Sequence, residues 1–259
     1  MDSSIYVTRR GTQGPKVVMV HGSAQGSSVG GDHHFTAQEP LGAQGWQLIV
    51  PDRPGHGRSP SPGRPDDAEA DGAWVAELLG DGAHLVGHSF GGCVALAAAT
   101  RRPEAVRSLT LIEPAMHQLA IRDASVRRFL FQMIFASRFP MRAASRATWA
   151  ARALRIPENL RGGKSHEELT AMGRGLARLR VPARATIERE IGEITRRGIP
   201  LLVVTGGWSR AFDVTGDVVC ALGKGRRLVI ASPHHFPQLV RDEFNRALVA
   251  FMTEAEAKR

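Results

Sequence analysis

A serine stands between two glycines in Gly87-His88-Ser89-Phe90-Gly91, just after the apolar run 84–88 and just before an alanine-rich stretch. A serine hydroxyl is a weak nucleophile until a neighbouring base takes its proton. A strand that turns at once into a helix forces the turn residue into a strained conformation with positive φ and lifts its side chain from the sheet edge. Crowding at such a turn demands small residues two before and two after, and Gly87 and Gly91 supply them. Gly92, Ala95, Ala97, Ala98 and Ala99 let the following helix lie close to the sheet. The helix N-terminus behind Ser89 favours developing negative charge. The chemistry these residue types imply is nucleophilic acyl transfer, with Ser89 as nucleophile.

The base that Ser89 needs is offered by His234 and His235 in ASPHHFPQL, 231–239. Two carboxylates compete to orient it. Glu113 ends the apolar run 109–114, where a buried strand end gives a glutamate few structural reasons to exist. Asp213 falls where a helix is expected to begin, and an aspartate there serves as a cap or first-turn charge. Asp32, His33 and His34 could ligate a metal, but adjacent ligands rarely close a site and no partner pair is evident. They are expected to line an entrance, and no metal or organic cofactor is expected. There is no phosphate-binding G-x-x-x-x-G-K-[ST] and no dinucleotide glycine fingerprint.

Stepping outward from these residues, short apolar runs at 16–21, 46–52, 84–88, 109–114, 200–206 and 227–232 read as buried strands, and 5–9 as an antiparallel edge. Helical patterns fall between them at about 36–44, 68–79, 91–101, 213–221 and 238–254. The alternation predicts an α/β fold: a mostly parallel central sheet with helices on both faces. It breaks after Glu113. From 117 to 197 the chain reads as helix upon helix. The expected organisation is therefore a core of 1–116 and 198–259 with a helical cap, or lid, inserted over 117–197.

In this order the motifs resemble those of the α/β-hydrolase family. MVHGSAQ (19–25) is similar to the family's oxyanion loop and VPDRPGHGRS (50–59) to the turn after its next strand. LVGHSFGG (85–92) is similar to its nucleophile elbow and ASPHHFPQL to its histidine loop. The resemblance implies oxyanion donors at the N–H groups of Ser23 and Phe90, with Gly22 permitting the tight backbone and the Ser23 hydroxyl as a possible third donor. It selects His235 over His234, because HFPQ matches from His235. Most of the family carries its acid shortly after the strand matching 200–205, where this chain has Ser209, with Asp213 further on. Some members place it where Glu113 stands. Glu113 is preferred and Asp213 is the alternative. The implied activity is hydrolysis of a carboxylic ester or lactone through an acyl-enzyme. The alternatives are a C–C bond hydrolase or lyase using the same triad, and a weakly catalytic ligand-binding receptor.

Composition bounds the rest. The net charge is +9, and 117–198 carries 17 Lys and Arg against 7 Asp and Glu, while the remainder carries 17 against 18. A basic cap could attract an anionic substrate. No basic recognition helix or aromatic-interleaved motif accompanies it, so no nucleic-acid partner is expected. Arg127, Arg128, Arg138 and Arg142 could hold a substrate carboxylate, but solvated positions are the simpler reading. Leu130, Phe131, Met133, Ile134, Phe135, Phe139, Trp149 and Leu154 recur at helical spacing and are expected mostly to pack the cap helices, a few facing the cleft. Cys93 and Cys220 form no CxxC pattern and read as structural. No apolar run reaches membrane-spanning length and no basic-then-apolar leader opens the chain. A cytoplasmic monomer or homodimer with a small-molecule substrate is expected.

Overall fold

Seven strands form one sheet: β1 (Val7–Arg10), β2 (Lys16–Val20), β3 (Gln47–Pro51), β4 (Ala83–His88), β5 (Val106–Ile112), β6 (Leu201–Thr205) and β7 (Arg226–Val229). This is a computed structural model, and it describes residues 5–138 and 142–258. The strand order is β1-β3-β2-β4-β5-β6-β7. Only β1 runs antiparallel, against β3; the other pairings are parallel. Both edges carry arginines, Arg9 and Arg10 on β1 and Arg226 and Arg227 on β7. Charged edges discourage pairing with another chain.

The helices are α1 (Gly31–His34), α2 (Ala68–Leu78), α3 (Phe90–Arg101), α4 (Ala124–Arg138), α5 (Ala143–Ala153), α6 (Glu158–Arg161), α7 (His166–Arg178), α8 (Arg184–Arg196), α9 (Arg210–Leu222) and α10 (Arg241–Ala257). Alternation along the strands decides which face each residue meets. Val18, Val20 and Leu85 pack with α2, α3 and α8. Val17, Met19 and Val86 pack with Phe244, Leu248 and Met252 of α10. The alanines of α3 serve close approach: a Cβ on Gly72 of α2 would lie 2.7 Å from the Ala97 Cβ.

β2 and β4 are neighbours although β3 separates them in sequence. The chain winds one way after β2 and the other way from β4 onward. Such a reversal opens a crevice at the carboxyl ends of the strands. The loop at His21–Ser23 and the turn at Ser89 both leave the sheet there.

Among the described residues, the α-helices α4 to α8 lie between β5 and β6. α8 sends Ile187, Ile191 and Ile194 into the main core. The expectation that the apolar residues of α4 mostly pack inward is corrected. Val126, Phe129 and Leu130 do pack, against Ala211, Val214 and Val218 of α9. Phe131, Ile134 and Phe135 are 68%, 53% and 50% exposed. A helix turns about 100° per residue, so residues five positions on from the packed set lie well around the helix from it. Phe139 lies outside the described residues. Arg127, Arg128 and Arg142 are exposed, as solvated positions require.

Candidate active site

Ser89 has φ 56° and ψ −124°. The strain is enforced by its surroundings. A Cβ on Gly87 would lie 2.5 Å from the Gly91 carbonyl oxygen, and one on Gly91 would lie 2.3 Å from that of Val20. Both are backbone contacts that a side chain could not move aside. Gly22 approaches just as closely, since its Cβ would stand 3.0 Å from that of Ser89. Among the described residues, the N–H groups of Ser23 and Phe90 make no hydrogen bond. The N–H of Phe90 is a first-turn donor of α3, which has no acceptor within its own helix.

Glu113 also has positive φ, 46°. Its N–H donates to the Val204 carbonyl at 2.8 Å, which anchors the turn to β6. The buried carboxylate accepts from Gly206 N at 2.6 Å and from Trp208 Nε1 at 3.0 Å. His235 Nδ1 faces Glu113 Oε2 at 3.0 Å. His88 Nε2 donates to the His235 carbonyl at 2.7 Å and steadies the loop from below. The His235 Nε2 is buried and, among the described residues, has no hydrogen-bond partner.

The competing residues are engaged elsewhere. Asp213 accepts from Thr205 Oγ1, and Arg227 Nη2 lies 3.5 Å from it. It sits in the first turn of α9, which begins at Arg210 rather than at Asp213. His234 Nδ1 accepts from Phe236 N at 3.2 Å. The idea that the Ser23 hydroxyl is a third oxyanion donor is corrected: it donates to Asp66 Oδ2 at 2.6 Å. Asp66 stands in a distant turn, so no local pattern could reveal the bond. His33 Nδ1 and Arg58 Nη2 each lie 2.8 Å from Asp32, while His34 is half-buried beside His21, His88 and Phe236. Among the described residues, no three His, Cys, Asp or Glu gather as metal ligands.

Two groups escaped sequence reasoning. Trp208 supports Glu113, and its position among small residues after β6 was the available signal. Arg53 is buried with Asp66 and Asp71. The signal there was three charged residues flanking the turn after β3.

A cavity of about 50 Å³ joins Gly22, Ser23, His34, Ser89, His235 and Phe236. Leu154, Ile156, Leu160 and Met172, from the helices between β5 and β6, form its roof. A hydrogen bond from His235 N to the Leu154 carbonyl, 3.3 Å, ties that roof to the histidine loop.

Burial sets the electrostatics. It lowers His235 to about 3, with His234 adding repulsion, so the imidazole is neutral at physiological pH. Burial pushes the Glu113 carboxyl up, opposed by the N–H groups of Gly206 and Trp208. Burial also holds His21, His34, His56 and His88 well below 6.5, and His117 at about 3. With His235 these make six imidazoles that stay neutral in the fold but take up protons when unfolded below pH 6.5. The unfolded state then binds more protons, so stability is full above pH 6.5 and is lost as pH falls. A histidine kept neutral in the fold contributes up to ~1.4 kcal/mol per pH unit below 6.5. Burial's upward push on Glu113 acts in the opposite sense, and the N–H groups of Gly206 and Trp208 offset it. Urea midpoints should therefore drop steeply between pH 7 and pH 5, and activity should vanish with the fold rather than on a separate histidine titration. A flat midpoint across that range contradicts this.

A family model described as the alpha/beta hydrolase fold matches residues 15–242. The chain belongs to the α/β-hydrolase family. It is 36% identical over 138 residues to Lipase LipV of Mycobacterium tuberculosis, covering 50% of this chain and 48% of that one. It is 37% identical over 107 residues to the 2-hydroxymuconate semialdehyde hydrolase of a Pseudomonas species, covering 38% and 36%. These matches span about half or less of the relatives' own lengths. In structure it is similar to the N-acyl homoserine lactonase AidH, with a TM-score of 0.68 and 20% identity, covering 97% of this chain and 93% of that one. No helix among the described residues is long and apolar enough to cross a membrane.

Proposed function

We propose that this protein is a serine hydrolase that cleaves a carboxylic ester or lactone through an acyl-enzyme. Ser89 Oγ attacks the carbonyl carbon while His235 Nε2 takes its proton. Glu113 holds the Nδ1–H and stabilises the imidazolium. The tetrahedral oxyanion rests on the N–H groups of Ser23 and Phe90. As the intermediate collapses, His235 returns the proton to the leaving alcohol. Water then attacks the acyl-enzyme, His235 takes its proton, and the acid and free Ser89 are released. The observation that carries this reading is His235: one nitrogen on a buried carboxylate, the other unpartnered, in a cavity shared with a strained serine.

In this reading α5 to α7 act as a cap that selects substrate. A second cavity of about 220 Å³ lies among these helices, and Ile156, Leu160 and Met172 line both cavities. Ala147 and Ala151 complete an apolar wall, and Arg161 and Lys164 also border it. It is more than four times the volume of the cavity at Ser89. Its apolar wall favours a medium-chain acyl ester; Arg161 is paired with Glu158, and Lys164 donates to the Leu160 carbonyl at 2.9 Å and lies 3.9 Å from Glu168. Leu169→Trp, which borders the second cavity and not the cavity at Ser89, should lower kcat/KM for octanoyl esters about tenfold, ~1.4 kcal/mol, and leave acetyl esters within about threefold. Equal losses on both esters would remove this cavity from the reaction. The name of the semialdehyde hydrolase relative favours keeping a second reading, C–C bond hydrolysis by the same residues. A panel of aryl esters against vinylogous diketones separates the two by turnover.

A further inference from the structure

One side chain outside the proposed triad bonds the Gly22–Ser23 peptide and lies against the Phe90 ring. Arg53 follows β3 and is 0% exposed. Its Nη1 donates to the Gly22 carbonyl at 2.9 Å. Its Nη2 donates to Asp66 Oδ1 at 2.6 Å and to Asp71 Oδ2 at 2.8 Å, and its Nε donates to Asp71 Oδ2 at 3.1 Å. The guanidinium carbon lies 5.0 Å from the centre of the Phe90 ring. Asp66 in turn accepts from the Ser23 hydroxyl at 2.6 Å. Arg53 thus touches Gly22 directly, Ser23 through Asp66, and Phe90 through its ring.

The peptide geometry gives this contact a consequence. In a trans peptide the C=O of one residue and the N–H of the next point in opposite directions. The Gly22 oxygen is held by a second donor as well. Arg53 N donates to His21 Nε2 at 2.9 Å, which leaves the ring hydrogen on Nδ1, 2.9 Å from the same oxygen. Two donors therefore fix the Gly22 oxygen, and the N–H of Ser23 is turned the opposite way. Rotating that peptide would break both bonds.

We propose that Arg53 is a positioning residue for acyl transfer, locking the Gly22–Ser23 peptide so that the Ser23 N–H stays aimed at the oxyanion. The fork is essential. A guanidinium presents several donors in one plane and reaches Gly22, Asp66 and Asp71 together, whereas an ammonium is a single point charge. The cluster is a costly way to fill space, because burying ion pairs seldom stabilises a fold more than apolar packing does. An oxyanion site needs donors fixed before the charge develops, and this cluster supplies that rigidity.

The inference rests on the reading of Ser89 as nucleophile and of Ser23 and Phe90 as oxyanion donors. The test is Arg53→Lys, which keeps the charge beside Asp66 and Asp71. It is assayed on an ester and on the matching thionoester, whose developing charge falls on sulfur, a poor acceptor. The expected result is a fall in ester kcat of about 100-fold, with KM and the thionoester rate within about threefold of wild type. An unchanged ester kcat, or an equal fall on both substrates, overturns the proposal. If Arg53→Lys does not fold, Ser23→Ala decides, since it removes the link to Asp66 and leaves the ion pairs intact. It should lose about tenfold on the ester alone, and no loss or an equal loss counts against. Ser89→Ala keeps the two failures apart. If that variant still hydrolyses the ester, the nucleophile reading fails. If it is dead while the Arg53 and Ser23 variants are indifferent, only the role of Arg53 falls.

Discussion

Ser89→Ala should reduce kcat for ester hydrolysis by about 10⁶-fold, and His235→Ala by a similar factor. The double variant should be no slower than either single one. Residues that act as a unit lose the whole pathway when any member is removed, so their effects do not add. A residue of about 10³-fold over the uncatalysed rate should survive, because the N–H groups of Ser23 and Phe90 do not depend on the nucleophile. A fluorophosphonate should label wild type at Ser89 and leave Ser89→Ala unlabelled. The fold should tolerate the change, since alanine has less bulk than serine, although it must accept the same φ of 56°. Retention of more than about a hundredth of wild-type kcat in Ser89→Ala would remove the covalent mechanism.

Glu113→Gln should cost about 10⁴-fold in kcat, while Asp213→Asn should leave kcat within about threefold. Glutamine keeps the shape of Glu113 but brings an NH2 group to a site where Gly206 N and Trp208 Nε1 already donate. Its oxygen, in the place of Oε1, accepts from Gly206 N, and its NH2, in the place of Oε2, faces His235 Nδ1 and leaves the Trp208 N–H without its acceptor. That contact favours the tautomer with hydrogen on Nε2, which cannot take the proton of Ser89. The loss should therefore appear in kcat, with little change in KM. Asp213 bonds Thr205 and stands near Arg227, while the imidazole's Nδ1 faces Glu113. A loss confined to Asp213→Asn would transfer the acid's role to that residue.

How far these residues could be read from the chain depends on the range of the forces involved. The elbow was legible because its constraint is local. Gly87 is crowded by Gly91, Gly92 and Ala95 within the turn, and although Gly91 is crowded by the Val20 and His21 carbonyls, the glycines that answer both demands flank Ser89 in the chain. The strands were legible for a similar reason, since burial on both faces leaves short continuous apolar runs. Their ends shifted by only a residue or a few; β5, for instance, begins at Val106 rather than at Leu109. The partially exposed face of α4 was not legible, because spacing gives a helix and not the side that α9 covers.

The sequence by itself determined the order of elements, the strained serine between its two glycines, and the short set of histidines and carboxylates that could serve it. Tertiary structure alone decided which of them meet. Glu113 reaches His235 because β5, β6 and β7 lie side by side, the histidine loop follows β7, and a positive φ turns the glutamate after β5. Asp213 is drawn to Thr205, and the Ser23 hydroxyl to Asp66. Each of these contacts joins segments whose separation along the chain says nothing of their distance in space. A hydrogen bond is made within about 3 Å, so only the folded path could choose among partners that composition leaves equivalent.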